Sequence, residues 1–274
     1  MNKRIVITGA SDGIGFAAAR RLKELGNEVI IAGRSPEKTQ RRAEEIGADF
    51  FVADYTRLSD VIKLAEELKK YGRIDVLCNN AGGITAKKEY TEDGFEKTFQ
   101  LNVLGGFLLT TLLKDVLTES NATVVQTASI AANLFGADLD ADDLQTEKNF
   151  SPVSAYGHAK LEDILFTREL DRRFGALGIN AVAFEPGVVR TNFASEANGF
   201  MRVCYHSPLK YLFTISPDKR AERLVRLALG SAGGDFVRGE TYSYKKPLKL
   251  KFFDDGTAAR KLWEFCALAV KKYI

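Results

Sequence analysis

The chain has 274 residues, 45% of them hydrophobic and 27% charged, with a net charge of +3. That balance belongs to a soluble globular protein long enough for one large α/β domain. The small positive excess, with no Lys/Arg block, argues against a nucleic-acid partner, and the absence of a run of about 20 apolar residues argues against a transmembrane segment. Cys78, Cys204 and Cys266 are odd in number and widely spaced, so neither a disulfide framework nor a metal site is expected, and a reducing cytoplasm is the default location. The apolar run after Met1 breaks at Gly9, too early for a secretory signal.

In chain order, short β-branched runs alternate with amphipathic stretches. Strands are expected over 4–8, 28–32, 49–53, 74–78, 123–127, 180–184 and 240–244. Helices are expected over 14–25, 36–46, 58–71, 94–117, 155–174, 217–229 and 258–271. Gly26, Gly47 and Gly72 close the first three helices. Such alternation implies a single doubly wound parallel sheet of about seven strands, Rossmann-type, with helices on both faces and right-handed crossovers. With no repeat or linker, residues 1–274 read as one domain. Two irregular regions, 133–152 and the aromatic-rich 195–216, fall at the strand ends where such sheets bind ligands. The second is the expected substrate loop, and 245–274 form a C-terminal extension. Its segment 263–270 is apolar enough to touch a membrane surface, but packing on the protein body is the stronger expectation.

The first strand–helix turn reads Thr8-Gly9-Ala10-Ser11-Asp12-Gly13-Ile14-Gly15. Glycines let the backbone approach a ligand closely, and a helix N-terminus offers N–H groups and partial positive charge to a pyrophosphate. The second strand ends in Ala32-Gly33-Arg34-Ser35. No acid is present there to hold ribose hydroxyls, and the Arg34 guanidinium is suited to a 2′-phosphate, so NADP(H) is expected over NAD(H). Asp54, after the third strand, either accepts from an adenine amino group or caps a turn. Asn79, Asn80, Ala81 and Gly82, after the fourth, combine turn-fixing amides with small residues that admit a cofactor.

Tyr156 and Lys160 lie four apart at the start of a helix and so share a face. A lysine charge at roughly 5 Å, at an effective dielectric near 20, favours a phenolate by about 3 kcal/mol, or about two pKa units. That moves a phenol of ordinary pKa near 10 toward the working range of an acid–base catalyst. Ser129 ends the fifth strand at the same cleft mouth, where its hydroxyl can donate to a substrate carbonyl. Asn102, a mediocre helix residue, either sits on a polar face or holds a water on a proton path to Lys160. His158 points to another helix face and reads as structural; His206 reads as a surface residue.

Together these marks resemble the short-chain dehydrogenase/reductase family: Thr8-Gly9-x-x-x-Gly13-x-Gly15, Asp54, Asn79-Asn80-Ala81-Gly82, Asn102, Ser129, Tyr156-x-x-x-Lys160, and Pro186-Gly187 with Thr191. The retinol dehydrogenase-like branch is the most similar, through Asp142-Asp143-Leu144, Ala155 to Leu161, Leu165 to Leu170, Glu185 to Thr191, and Leu262-Trp263. Ala159 departs from the serine often found before the lysine. The resemblance implies Tyr156 as acid–base, Lys160 as its partner and a ribose ligand, Ser129 as substrate orienter and Asn102 as holder of a relay water. It implies a cofactor site drawn from Thr8, Gly9, Ser11, Asp12, Gly13, Ile14, Gly15, Arg34, Asp54, Asn80, Ala81, Gly82, Tyr156, Lys160, Pro186, Gly187, Val189 and Thr191. The expected activity is hydride transfer between NADP(H) and an apolar carbonyl/alcohol substrate. The alternative is a catalytically silent NADP(H)-sensing protein of the same fold. A homodimer through helices 94–117 and 155–174 is the expected assembly.

Overall fold

In a computed structural model of the chain, residues 2–187, 217–254 and 256–274 are described. Eight strands form one sheet: β1 (Arg4–Thr8), β2 (Glu28–Gly33), β3 (Asp49–Val52), β4 (Val76–Asn79), β5 (Thr123–Thr127), β6 (Asn180–Glu185), β7 (Thr241–Ser243) and β8 (Lys246–Pro247). Their order is β3-β2-β1-β4-β5-β6-β7-β8. The first seven pair in parallel, which buries the central strands on both faces. β8, not expected from the sequence, folds back antiparallel on β7 through Tyr244, whose φ of 60° suits a tight turn. The strand order reverses beside β1, between β2 and β4, where doubly wound sheets open a ligand crevice.

Helices α1 (Gly13–Glu24), α2 (Pro36–Ile46) and α3 (Leu58–Lys69) follow the first three strands, close to their expected bounds. The expected continuous helix over 94–117 is divided. It runs as α4 (Lys97–Phe99), a π-helical turn (Gln100–Leu104), α5 (Gly105–Leu112) and α6 (Lys114–Glu119). Phe99, Val103, Leu104, Phe107, Leu108 and Leu109 are all buried, so apolar periodicity carries no mark of the π turn. Within 133–152 the chain completes a short helix, α7 (Ala131–Phe135). α8 (Pro152–Phe174) starts three residues before the expected position. Ser151 caps it by accepting from Ser154 N at 3.0 Å, and Pro152 needs no donor at the first helical position.

Two cores flank the sheet. One face carries α1 and α9 (Pro217–Leu229), with Ala18, Leu22, Leu224 and Leu227 buried against Ile5, Ile7 and Val182. The other carries α3, α5, α8 and the terminal helix α10 (Thr257–Val270). α10 buries Ala258, Ala259, Leu262, Cys266 and Val270. Its Trp263 meets Phe107 edge-on at 4.9 Å and stacks on Phe166 at 5.9 Å. Most of the apolar segment weighed above for membrane contact thus packs on the body, with Leu268 left exposed. Pairing of two copies through α5 and α8 would compete with α10 for these rings. Among the described residues, no helix is long and apolar enough to cross a membrane.

Candidate active site

The site forms at the carboxyl ends of β1, β4, β5 and β6. Gly9 (φ +64°) and Gly13 (φ +58°) take left-handed backbone conformations in the β1–α1 loop. A Cβ on Gly9 would lie 2.7 Å from Ala81 Cα, and one on Gly15 would lie 2.6 Å from Asn80 Nδ2. The loop therefore packs backbone to backbone on segment 80–82. Thr8 fixes that approach: its hydroxyl accepts from Asn80 N and Ala81 N, both at 3.0 Å. Asn80 Nδ2 returns a bond to Thr8 O at 2.9 Å. Asn80 and Thr8 thus brace the loop with their side chains.

Asp12 caps α1, its Oδ1 accepting from Gly13 N at 2.8 Å. Its Oδ2 accepts from Lys38 Nζ at 2.7 Å, an ion pair at the α1 N-terminus that the sequence reading did not include. Arg34 is exposed, and Ser35 caps α2. Asp54 Oδ1 accepts from Thr56 N (3.0 Å) and Thr56 Oγ1 (2.8 Å), the turn-capping alternative of the two expected for it. A second carboxylate oxygen is left for other donors. The residues fit a nicotinamide dinucleotide: a backbone cradle with no room for side chains, a helix N-terminus beyond it, and the exposed Arg34 after β2.

The catalytic candidates converge on Lys160, which is 4% exposed. Its ammonium lies 5.7 Å from the Tyr156 ring centroid and donates to Thr127 O at 3.0 Å. Tyr156 itself is half-buried, at the border between core and cleft. Ser129, two residues past the carbonyl that holds Lys160, is half-buried and accepts from Ala131 N at 3.2 Å, which leaves its hydroxyl hydrogen for another acceptor.

Asn102 sits in the π turn. It donates to Gly83 O and to Thr98 O, each at 2.8 Å, and accepts from Gly83 N at 3.1 Å. Both its side-chain donors are therefore committed to backbone. A Cβ on Gly82 would meet Asn102 Oδ1 at 2.6 Å and Lys160 Nζ at 3.3 Å, so Asn102 also walls the space beside the ammonium.

Two residues of the site escaped the sequence reading. Asp163 Oδ2 accepts from Lys160 Nζ at 2.8 Å, and Asp163 Oδ1 accepts from Gln126 Nε2 at 2.7 Å, all within the interior. Burial pushes the Asp163 carboxyl up, and the Lys160 ammonium draws it back. The i, i+3 spacing of Lys160 and Asp163 was a readable signal; Gln126 comes from another element and gave none. His158 is structural as expected, joined to Thr146 Oγ1 (2.8 Å) and Asp138 Oδ1 (3.1 Å).

At the end of β6, Gly187 (φ +76°) donates to Glu185 Oε2 at 2.6 Å. Glu185 is also held by Arg223 at 2.9 Å and by Ser243, which anchors the turn after Pro186. Val189, Thr191, Cys204, His206 and the expected substrate loop 195–216 lie outside the described residues. Among the described residues no group of His, Cys, Asp and Glu is arranged for a metal ion.

Residues 3–140 match the short chain dehydrogenase family. A Streptomyces sp. (strain C5) protein provisionally named daunorubicin C-13 ketoreductase DnrU is 36% identical, the alignment covering 98% of this chain and 92% of that protein. Human retinol dehydrogenase 13 is 33% identical over 95% of this chain and 82% of its own. Among solved structures, an uncharacterized protein from Mycobacterium Paratuberculosis superposes with a TM-score of 0.76 at 29% identity, covering 98% of this chain and 93% of that one.

Proposed function

The chain belongs to the short chain dehydrogenase family and is on that ground a hydride-transfer oxidoreductase; from this premise we propose that it is an NADP(H)-dependent reductase of apolar carbonyl compounds, with Tyr156 as its acid–base group. The observation that carries the reading is the Lys160 ammonium, buried and fixed 5.7 Å from the centre of the Tyr156 ring at the mouth of the glycine-lined crevice. When bound, the nicotinamide supplies or accepts the hydride.

This chain's residues manage the oxygen and its proton. In the reducing direction negative charge grows on the substrate oxygen. Ser129 and Tyr156 donate hydrogen bonds to it, and Tyr156 passes its phenolic proton to that oxygen. Lys160 stabilises the phenolate that remains. Asn102 keeps segment 82–83 and the ammonium in register, on the path by which solvent protons return through a relay water. Gly9, Gly13, Gly15 and the α1 N-terminus would hold the pyrophosphate, with Ser11, Asp12 and Ile14 lining the turn. Asp54 would serve the adenine side, and Ala81 and Gly82 would admit the ribose. Pro186 and Gly187 would border the nicotinamide, and the family resemblance assigns Val189 and Thr191, which lie outside the described residues, to the same site.

Arg34 supports NADP(H) because its guanidinium is exposed at the end of β2, where residues 32–35 include no acid to hold ribose hydroxyls. Lys38 Nζ is bound to Asp12 Oδ2 at 2.7 Å, so Arg34 is the cation on which the reading rests. An apolar substrate is supported by Leu134 and Phe135, exposed by 57% and 43% on α7, which packs on the catalytic helix. The names of the similar proteins, a ketoreductase and a retinol dehydrogenase, agree with that class. We place the whole chain in one domain and in the cytoplasm, the latter because Cys78 and Cys266 are buried free thiols.

The test is oxidation of NADPH and of NADH against aldehydes and ketones of increasing apolar length. Turnover with NADPH that improves with chain length supports the reading. Tight NADPH binding without turnover across the panel assigns the chain instead to cofactor sensing.

A further inference from the structure

Lys160 carries three donors, and two are spent inside the protein, on Thr127 O and on Asp163 Oδ2. The Lys160 and Asp163 side chains are 5% and 0% exposed, so the charge pair is shielded from water. Gln126 of β5 locks the far carboxylate oxygen. On a helix Asp163 stands seven residues beyond Tyr156, about two turns and about 10 Å along the axis on the same side. The ammonium therefore sits between phenol and carboxylate in a row along α8.

We infer that Asp163 is a positioning residue that fixes the Lys160 ammonium and partly cancels its pull on the Tyr156 phenol, keeping that phenol a proton donor near neutral pH. The inference rests on the proposed acid–base role of Tyr156. Asp163 Oδ2 is 2.8 Å from an ammonium that is 5.7 Å from the phenol ring, so it is at most about one and a half times as far from that ring. Coulomb energy falls with distance, so the carboxylate takes back about two thirds of the ammonium's effect, or a little more than one of the roughly two pKa units it supplies. The charged groups set against Asp163 among the described residues are Lys160 and, next to it on α8, Glu162. Glu96, which caps α4, Asp143 and Cys266 of α10 interact with Glu162 from its other sides. Burial pushes the Glu162 carboxyl well up and, among the described residues, neither of its oxygens has a hydrogen-bond partner, whereas Asp163 Oδ2 lies 2.8 Å from Lys160 Nζ, so Asp163 is the carboxylate that answers Lys160. An oxidised nicotinamide adds positive charge to the same row, and it does so equally in wild type and variant.

Asp163→Asn tests this. The amide oxygen still accepts from Lys160, and Gln126, whose Oε1 has no partner, can turn to accept from the new amide donor. Two readouts are followed against pH: kcat/KM for carbonyl reduction, and the phenolate absorbance of wild type minus Tyr156→Phe, compared with Asp163→Asn minus its own Tyr156→Phe double variant. The expected result is that both midpoints move down by about one pH unit in Asp163→Asn, with reduction falling about tenfold on the alkaline side and alcohol oxidation rising about tenfold on the acid side. Asp163→Ser, shorter and neutral, should move the midpoints in the same direction and serves if the Asn variant does not fold. Midpoints that stay in place or rise, in an enzyme that Tyr156→Phe inactivates, overturn the role of Asp163 alone. Unchanged turnover in Tyr156→Phe overturns the acid–base reading beneath it.

Discussion

The backbone of Phe135 lies against Gly157, the residue that follows Tyr156, so closely that a Cβ at position 157 would sit 2.5 Å from the Phe135 carbonyl carbon. α7 thereby rests directly on α8, and the exposed Leu134 and Phe135 are placed by that contact. Gly157→Ala gains helix propensity worth about 1 kcal/mol but forces α7 away, an overpacking cost of about 1–3 kcal/mol. We expect unchanged NADPH affinity, a lower Tm, and a rise in KM for apolar carbonyls larger than the fall in kcat. Steady-state kinetics with one short and one long aldehyde checks this. Equal losses on both would remove α7 from the substrate site.

Cofactor choice is testable at Arg34. Arg34→Ala should lower kcat/KM with NADPH by about 10- to 100-fold, the worth of a charge-assisted bond to phosphate, and leave NADH nearly unchanged. Installing an acid at Gly33 is not a clean complement. A Cβ there would meet Thr39 Oγ1 at 2.5 Å and Ser11 Cβ at 2.9 Å. Ser35→Asp is preferable, because aspartate also caps α2 and so separates charge from folding. A parallel loss with both cofactors in Arg34→Ala would count against NADP(H) preference.

α10 offers a paired comparison. Leu262 is 1% exposed and Leu268 is 74% exposed on the same helix. Leu262→Ala should cost about 2–5 kcal/mol in a denaturant titration. Leu268→Ala should stay within about 0.5 kcal/mol. If the two variants cost the same, α10 is not docked as described. Truncation after Gly256 should expose Phe107, Phe166 and Phe174 and yield aggregation, whereas the full chain should not sediment with liposomes.

Glu162 is fully buried, and neither carboxylate oxygen has a partner. Burial pushes its carboxyl well above the usual range, with Asp163, Glu96 and Asp143 adding repulsion. The folded pKa is raised, so the unfolded state binds fewer protons than the folded one between the two pKa values. The stability tied to the neutral form is complete below the unfolded value of about 4.3 and is lost as pH rises through the folded value. Glu162→Leu should therefore raise stability at pH 8 by about 1–3 kcal/mol and flatten the fall of Tm with rising pH. Glu96 and Asp163, also raised by burial, keep part of that slope. A Tm profile as steep in Glu162→Leu as in wild type would contradict the assignment.

Much of this was legible before any coordinates. The glycine turn, the strand-end Ser129 and the Tyr156–Lys160 spacing each follow from short-range geometry that sequence encodes directly. The π turn at 100–104 was not legible, because a stretch buried on all sides shows no periodicity to interrupt. The commitment of Asn102 to Gly83 was hidden for a related reason: a side chain's partner on another segment leaves no local trace. The two-residue strand β8 was too short to register. Asp163 was visible three residues past Lys160, but its significance depends on burial, which only the packed interior reveals.

The central claim is that Tyr156 gives up the proton. The most direct measurement is NADPH oxidation on an accepted aldehyde by wild type and Tyr156→Phe, with NADPH affinity measured alongside by fluorescence. The account predicts a loss in kcat of about 100-fold or more with affinity for NADPH retained. Turnover in Tyr156→Phe equal to wild type would contradict it.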